Sequence, residues 1–212
     1  MIIGCDISAW NDNSDNPEGI NFRRMKNMGI DFVILRSSIG GYEDSSYKIN
    51  IAKAKDAGLI TGSFHYLTWR DNLQSQLNLI INLQKQYPSD IPIVIDVEER
   101  SGCPSQITAG KAIKSMLDSL RAELGVIPGV YTNVDSWMRM GYFNDDILYN
   151  WLWVANWNVK TPRLPKPWGN WIFWQYTISS YGYMYGVQSK SIDLDAYNGT
   201  VDDLKAWIET VR

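Results

Sequence analysis

The chain has 212 residues, of which 45% are hydrophobic and 20% charged, and this composition excludes an intrinsically disordered protein. Its length favours one domain with a sizeable core, which we expect to span residues 1–212. A net charge of −3, with no cluster of lysine and arginine, excludes an electrostatic surface for nucleic acid or for an anionic membrane.

The N-terminal sequence MIIGCDIS has no basic start, no long apolar run and no small-residue cleavage site, so it does not match a Sec signal peptide. No stretch approaches the roughly 18 consecutive apolar residues that a membrane-spanning helix needs. We therefore expect synthesis as a soluble cytoplasmic protein. Any function outside the cell then requires that another agent releases the protein.

Few side chains suit a transition metal. Cys5, Cys103 and His65 are the only cysteines and the only histidine, and none has the spacing of a zinc site. We predict no metal and no cofactor, and we expect the two cysteines to be reduced. Cys5 lies next to Asp6 in the first apolar run, so it faces the opposite side of that strand and is expected to be inert.

Aromatic residues with a polar edge are common, because the chain has 10 Trp and 12 Tyr but only 5 Phe. Such side chains suit surfaces that are partly apolar and partly wet, as a sugar ring is. Core packing is the competing interpretation, and we assign half of the tryptophans to it. Trp153 and Trp174 alternate with apolar neighbours, so they are candidates for a binding site.

Short apolar runs alternate with longer amphipathic segments, a pattern typical of strands and helices. The eight runs cover residues 2–8, 31–37, 59–66, 91–98, 126–132, 151–156, 170–177 and 191–197. The helix-like segments cover residues 20–29, 45–58, 71–86, 105–125 and 200–212. Ser105 and Gly125 are the expected caps of the fourth helix, and Thr200 is the expected N-cap of the last.

A strand followed by a helix, repeated, predicts parallel strands with right-handed crossovers. Eight such strands suggest a closed (β/α) barrel, for which this length is near the lower limit. The helices shorten or vanish after Tyr131, so we predict five regular βα units followed by an irregular last third.

Six of the eight runs end in polar or ionisable side chains. Catalytic groups of (β/α) barrels lie at the C-terminal ends of the strands, so these side chains indicate a candidate site. They are Asp6 and Ser8, Arg36, His65 and Tyr66, Asp96 and Glu98, Gln175 and Tyr176, and Asp193 and Asp195.

The clearest acidic strand end is IPIVIDVEER, residues 91–100. Side chains of a strand alternate between its faces, so Asp96 and Glu98 point to the same side. Ile93, Ile95 and Val97 then face the helices, which leaves the two acids at the barrel mouth. A solvated strand end with a structural ion pair is the alternative, since D-x-E alone is a weak pattern.

The first and eighth strands of a closed barrel are neighbours, so Asp6 and Asp193 are expected to lie together, opposite Asp96 and Glu98. An Asx turn is the alternative for Asp6, and a turn before the last helix is the alternative for Asp193 and Asp195. Four inward acids in one mouth favour a functional site.

Clustered acids raise the pKa of the least solvated carboxyl, so one stays protonated near neutral pH while its neighbours are ionised. Glycoside cleavage needs this division between a proton donor and negative charge near an oxocarbenium-like centre. The same acids are also suitable ligands for Mg²⁺ or Ca²⁺. The many tryptophans favour a sugar. His65 is equally compatible with a structural role and with a substrate contact.

Seven motifs together resemble family 25 glycoside hydrolases, the lysozyme-type N-acetylmuramidases that are common in phage endolysins. They occur in family order over nearly the whole chain, and the ordered set is far more specific than any one of them. The motifs are DISAWN, GSFHY, IVIDVE, GVYTN, LWVANW, WIFWQYT and IDLDAYNG.

The resemblance implies an α/β fold, a single-domain TIM-like (β/α)5β3 barrel, and hydrolysis of the β-1,4 bond between N-acetylmuramic acid and N-acetylglucosamine in peptidoglycan. It implies that Glu98 is the general acid and base and that Asp96 orients the 2-acetamido group of the substrate. Asp6 and Asp193 complete the acidic mouth. The expected substrate contacts are Tyr66, Tyr131, Trp153, Trp174, Gln175 and Asp195.

The resemblance also implies a monomer that reaches the cell wall after holin-type release or lysis. The chain departs from the family pattern in a long polar loop, residues 11–22, and in Asp195, which stands where the pattern has an Asn-like residue. A chitinase- or glucosaminidase-type glycosidase and a non-catalytic wall-binding barrel are the alternatives.

Overall fold

The computed structural model describes residues 1–12 and 19–212, so half of the polar loop expected at residues 11–22 lies outside the described residues. Eight strands form a closed barrel in the order β1, β2, β4, β5, β6, β7, β8 and β9, and β9 pairs with β1. The strands are β1 (Ile2–Ile7), β2 (Ile30–Ile39), β3 (Tyr42–Glu43), β4 (Ile60–Tyr66), β5 (Val94–Asp96), β6 (Gly129–Thr132), β7 (Trp151–Ala155), β8 (Phe173–Ser179) and β9 (Ile192–Tyr197).

The prediction of eight barrel strands is confirmed, with one addition. The two-residue strand β3 pairs only with β2, as a hairpin outside the barrel.

Strand direction follows the prediction except at the end of the chain. Neighbouring barrel strands from β1 through β8, which exclude the hairpin strand β3, are parallel, but β9 is antiparallel to both β8 and β1. The expectation of parallel strands is therefore wrong for β9. Residues 180–191 join β8 to β9 through a short 3₁₀ turn, Gly182–Tyr185, and no crossover helix carries the chain back to the other end of the barrel.

The described residues form six α-helices around the barrel. The prediction that helices shorten or vanish after Tyr131 is confirmed by the connections from β7 to β8 and from β8 to β9, which contain no α-helix. Ser105 accepts a hydrogen bond from the amide of Thr108 at the start of α4, and Gly125 ends this helix at φ +69°. Thr200 caps α6 as expected. The helices are α1 (Phe22–Asn27), α2 (Tyr47–Asp56), α3 (Leu73–Gln86), α4 (Gln106–Leu124), α5 (Val134–Met140) and α6 (Val201–Val211).

The alternation of side chains along the strands separates two kinds of core. Ile93, Ile95 and Val97 pack in the layer between the barrel and helices α3 and α4. Cys5 is buried on the same outer side of β1, where its Sγ lies 3.5 Å from the Sδ of Met25, and both cysteines are free. These placements confirm the expected facing of the residues beside Asp6, Asp96 and Glu98.

The interior of the barrel is filled by aromatic and branched side chains from alternate strand positions. Phe32 and Phe173 lie with ring centroids 5.1 Å apart, and the rings of Trp151 and Trp207 lie 5.3 Å apart. Helix α6 contributes Trp207 and buried apolar side chains to this cluster and so closes one end of the barrel. The opposite end is left for polar groups.

Half of the tryptophans lie in the core, as predicted. The five buried ones are Trp137, Trp151, Trp153, Trp168 and Trp174. Within residues 1–12 and 19–212, no helix combines the length and the apolar character needed to cross a membrane.

Candidate active site

A cavity of about 330 Å³ lies at the polar end of the barrel. It opens where the parallel strands end and where the antiparallel strand β9 begins. Twelve side chains line it, and they combine acids with aromatic rings. These residues are Asp6, Trp10, Arg36, Phe64, Tyr66, Asp96, Glu98, Tyr131, Trp153, Trp157, Gln175 and Asp193.

The acids of β1 and β9 meet as the sequence predicts. Asp6 and Asp193 are directly paired in the register of these two strands. Asp6 accepts a hydrogen bond of 2.7 Å at Oδ2 from the Nε2 of Gln175. The Oε1 of Gln175 accepts hydrogen bonds of 2.9 Å from the hydroxyl of Tyr131 and from the indole of Trp157. These two donors fix the orientation of the amide that holds Asp6.

Glu98 has the environment of a proton donor. It lies two residues after the end of β5 and is partly buried at the wall of the cavity. Burial, with the nearby charges of Asp193 and Glu99, raises the pKa of its carboxyl above the ordinary value. A carboxyl in this environment holds its proton closer to neutral pH than an exposed one does.

Asp96 is buried beside Glu98. Burial raises the pKa of Asp96 well above its ordinary value, the charges of Glu98 and Asp6 raise it further, and Arg36 opposes them. Its Oδ1 has no hydrogen-bond partner among the described residues. An unpartnered oxygen in a cavity wall is suited to accept a donor from a ligand.

Asp193 lies on the rim of the cavity, on the opposite side of the barrel from the β5 acids. Burial raises the pKa of its carboxyl to about 6, and its Oδ1 also lacks a partner among the described residues. The charge of Asp193 is one of the causes that raise the pKa of Glu98, so the two carboxyls influence each other.

Arg36 is the single cation among the residues that line the cavity, and an ion pair with a residue outside the lining holds it in place. The Nε of Arg36 lies 2.8 Å from the Oδ2 of Asp44, and Asp44 is completely buried. The same carboxylate accepts hydrogen bonds from the amide of Ala9 and from the amide and hydroxyl of Ser46. Asp44 therefore connects β2, the turn after β1 and the start of α2, and holds Arg36 in the cavity lining.

Aromatic side chains form the rest of the cavity. Trp10 is 81% exposed on the 3₁₀ turn after β1, which begins at Ser8 with a capping box completed by Asn11. The hydroxyl of Ser8 accepts from the amide of Trp10, and the amide of Ser8 donates to the Oδ1 of Asn11, so this amide does not make an Asx turn with Asp6. Tyr66 and Trp157 lie on other sides of the opening.

A sequence model of glycosyl hydrolases family 25 matches residues 5–187. The chain belongs to this family. It is 27% identical to lysozyme M1 of Streptomyces globisporus over 218 aligned positions, which cover 97% of this chain and 70% of that protein. The family assignment agrees with the acid and aromatic lining of the cavity.

Solved structures share the barrel of this family 25 chain. The bacterial lysozyme from Streptomyces coelicolor has a TM-score of 0.84 at 23% identity, covering 100% of this chain and 98% of that one. The CTP1L endolysin has a TM-score of 0.78 at 26% identity, covering 99% of this chain and 70% of that one. The fold is therefore that of family 25 lysozymes.

Of the ten site residues predicted for this family 25 barrel, eight line the cavity. Trp174 does not, because it neighbours Gln175 in β8 and so faces the helices, where it contacts Trp171 and Tyr176 and donates to the carbonyl of Asn156. Trp174 therefore lies outside the cavity lining, on the side of β8 that faces the helices.

Asp195 is also displaced from its predicted place. It is completely buried, and its Oδ1 accepts a 2.8 Å hydrogen bond from the indole of Trp153. Because β9 runs antiparallel, residues after Asp193 descend into the barrel and do not approach the rim. Asp195 thus lies beneath the cavity and outside its lining.

His65 has a structural role. Its two ring nitrogens lie 2.8 Å from the hydroxyl of Ser38 and 2.9 Å from the amide oxygen of Gln76, and burial lowers its pKa to about 4. The imidazole is fully buried on the helix side of β4, and the cavity is lined by its neighbours Phe64 and Tyr66.

Four lining residues were not among the ten predicted site residues, although Arg36 had been named as a polar strand end: Trp10, Arg36, Phe64 and Trp157. Three of them carry a period-two signal. Arg36 shares its face of β2 with Ile34, Phe64 shares its face of β4 with Tyr66, and Trp157 continues the face of Trp153. Trp10 lies after β1, so no strand period reaches it. In the described part of the chain, no group of three or more His, Cys, Asp or Glu side chains is arranged to hold a metal ion.

Proposed function

We propose that the chain is a lysozyme-type N-acetylmuramidase, a peptidoglycan hydrolase that cleaves the β-1,4 bond between N-acetylmuramic acid and N-acetylglucosamine. Family membership supports glycoside hydrolysis, and the relatives named a lysozyme and an endolysin support a bacterial cell-wall substrate. The observation that carries the proposal is the partly buried Glu98, with a raised pKa, in a cavity lined by acids and aromatic rings.

Glu98 is the general acid and base of this proposal. Its proton passes to the oxygen that bridges the two sugars as the bond from that oxygen to the anomeric carbon breaks. A water molecule then adds to the anomeric carbon and returns a proton to Glu98. The negative charge of the other carboxyls stabilises the positive charge that develops on the sugar ring.

Asp96 orients the reacting sugar. Its buried Oδ1 lacks a donor, and the N–H of a 2-acetamido group supplies one at the position next to the anomeric carbon. Asp6 and Asp193 complete the acidic lining on the other side of the cavity. The fixed amide of Gln175 keeps Asp6 in place.

The aromatic residues bind the glycan strand. Trp10, Tyr66 and Trp157 present rings to an opening that leads to the acids, and rings of this kind pack against the apolar faces of sugars. Trp153 and Phe64 form the floor, with ring centroids 6.0 Å apart.

The remaining proposals concern the whole protein. We propose that residues 1–212 form one catalytic domain, that it acts as a monomer without a cofactor, and that it reaches the cell wall after holin-type release or lysis. A size measurement in solution and a lysis assay with and without a holin test these points.

The experiment for the proposed reaction is digestion of purified Gram-positive cell walls, followed by borohydride reduction and mass analysis of the products. Muramic acid at the new reducing ends is the expected result. Glucosamine at those ends contradicts the muramidase proposal in favour of a glucosaminidase. Sedimentation of the protein with the walls, without any new reducing ends, contradicts catalysis and indicates a binding barrel.

A further inference from the structure

Asp195 is a fifth carboxyl that belongs to the site but does not reach the cavity. In the barrel register it is paired with Gly4 of β1 and Gln175 of β8, one layer below the Asp6–Asp193 pair. Its side chain is 0% exposed, so substrate and bulk water do not contact it. Its neighbours in the barrel must therefore satisfy it.

The two oxygens of Asp195 differ. Oδ1 accepts a 2.8 Å hydrogen bond from the Nε1 of Trp153. Oδ2 is buried and has no donor among the described residues. The group within hydrogen-bonding range of this carboxyl is Asp6, which is itself a carboxyl. Two ionised carboxylates cannot donate to each other, so a hydrogen bond between them requires one proton.

We propose that Asp195 is a positioning residue that shares one proton with Asp6 and thereby keeps Asp6 neutral at the floor of the cavity. In this arrangement Asp6 donates its proton to the Oδ2 of Asp195, which has no other donor. Asp6 at the same time accepts from Gln175. Each of the two carboxyls is then satisfied, and the negative charge of the pair lies on Asp195, below the reacting sugar.

The electrostatics of the barrel agree with a shared proton. Burial together with the charges of Asp195 and Asp193 raises the pKa of Asp6 well above its ordinary value. Burial also raises the pKa of Asp195, while the hydrogen bonds from the indole of Trp153 and from Asp6 oppose this shift and favour the ionised form of Asp195. The titratable and charged groups around Asp6 are Asp193 and Asp195 of β9, Arg36 of β2, Tyr66 of β4, Asp96 and Glu98 from the end of β5, and Tyr131 of β6.

A neutral Asp6 has a consequence for Asp96. The charge of Asp6 is one of the causes that raise the pKa of Asp96. When the proton is shared, this repulsion is weaker, and Asp96 ionises at a lower pH. An ionised Asp96 is the form that accepts the acetamido N–H, so this kinetic consequence rests on the proposed function.

The direct test is Asp195→Asn in the full chain, read by carbon-13 NMR of labelled aspartate carboxyls, with the Asp6 resonance assigned from Asp6→Asn. The asparagine side chain keeps an oxygen for Trp153 and gives Asp6 an N–H donor, so Asp6 is expected to ionise. We expect a protonated Asp6 in the wild type at neutral pH and an ionised one in Asp195→Asn. An ionised Asp6 in the wild type, or no change in the variant, overturns the proposal.

The kinetic test is the pH profile of cell-wall hydrolysis. Asp195→Asn is expected to move the acidic limb upward by about one pH unit, because an ionised Asp6 then repels the charge of Asp96. Asp31→Asn, which removes a carboxyl on the outer surface, is the control and leaves the profile unchanged. If Asp195→Asn changes the Asp6 resonance but does not move the acidic limb of the rate profile, the positioning role is overturned. Absence of hydrolysis in every variant refutes the proposed function and leaves the NMR result intact.

Discussion

The variant Asp44→Ala tests whether Asp44 anchors Arg36 in the cavity lining. The change removes a buried ion pair in which Arg36 and Asp44 are 10% and 0% exposed. It also removes the acceptor for the amides of Ala9 and Ser46. Removing one partner of a buried ion pair leaves an uncompensated charge and lowers the free energy of unfolding by about 3–5 kcal/mol. The released guanidinium is then free to turn towards Asp96, so activity falls as well.

The assay is urea unfolding followed by tryptophan fluorescence, in which the midpoint of Asp44→Ala falls by about 1–2 M at an m-value of about 2–3 kcal/mol per M. The matched control is Asp31→Ala, which breaks the ion pair of Lys26 and Asp31, with 38% and 27% exposed side chains. Its expected loss is below about 1 kcal/mol. A loss in Asp44→Ala as small as that of the control refutes the anchoring role.

Two further predictions concern the pH profile and substrate binding. Glu99→Gln removes a negative charge that raises the pKa of Glu98. The alkaline limb of the rate profile is therefore expected to move to lower pH. If this limb does not move, Glu98 is not the proton donor. Trp10→Ala raises KM for soluble glycan fragments roughly two- to tenfold with unchanged stability, because one exposed ring contact contributes about 0.5–1.5 kcal/mol. Tyr181→Ala, an exposed aromatic residue outside the cavity lining, is the control and keeps the wild-type KM; equal effects of the two changes contradict a glycan platform at Trp10.

Much of the barrel is predictable because burial gives strands a simple period. The eight apolar runs correspond to the eight barrel strands, and the alternation in β5 correctly separates Asp96 from Ile95 and Val97. The same period applied to Trp157 finds a lining residue that the sequence analysis did not name, and it supports Arg36, which was named only as a polar strand end. It also excludes Trp174, whose neighbour Gln175 faces the cavity.

The residue pattern does not predict the direction of a strand. IDLDAY is equally hydrophobic and equally alternating in either direction, so nothing in it tells whether Asp195 lies above or below Asp193. The 12-residue connection before β9 decides this, because it is too irregular to be a crossover helix and returns the chain from the cavity end. The depth of Asp195 and its bond to Trp153 follow from that reversal.

The most direct test of Glu98 as the proton donor is hydrolysis of purified cell walls by Glu98→Gln, with the adjacent Glu99→Gln as the matched control. The glutamine side chain cannot donate the proton, so the rate is expected to fall roughly 100- to 10,000-fold while the urea midpoint stays near that of the wild type. Glu99→Gln retains hydrolysis below neutral pH. Wild-type rates in Glu98→Gln, with muramic acid still appearing at new reducing ends, contradict Glu98 as the proton donor.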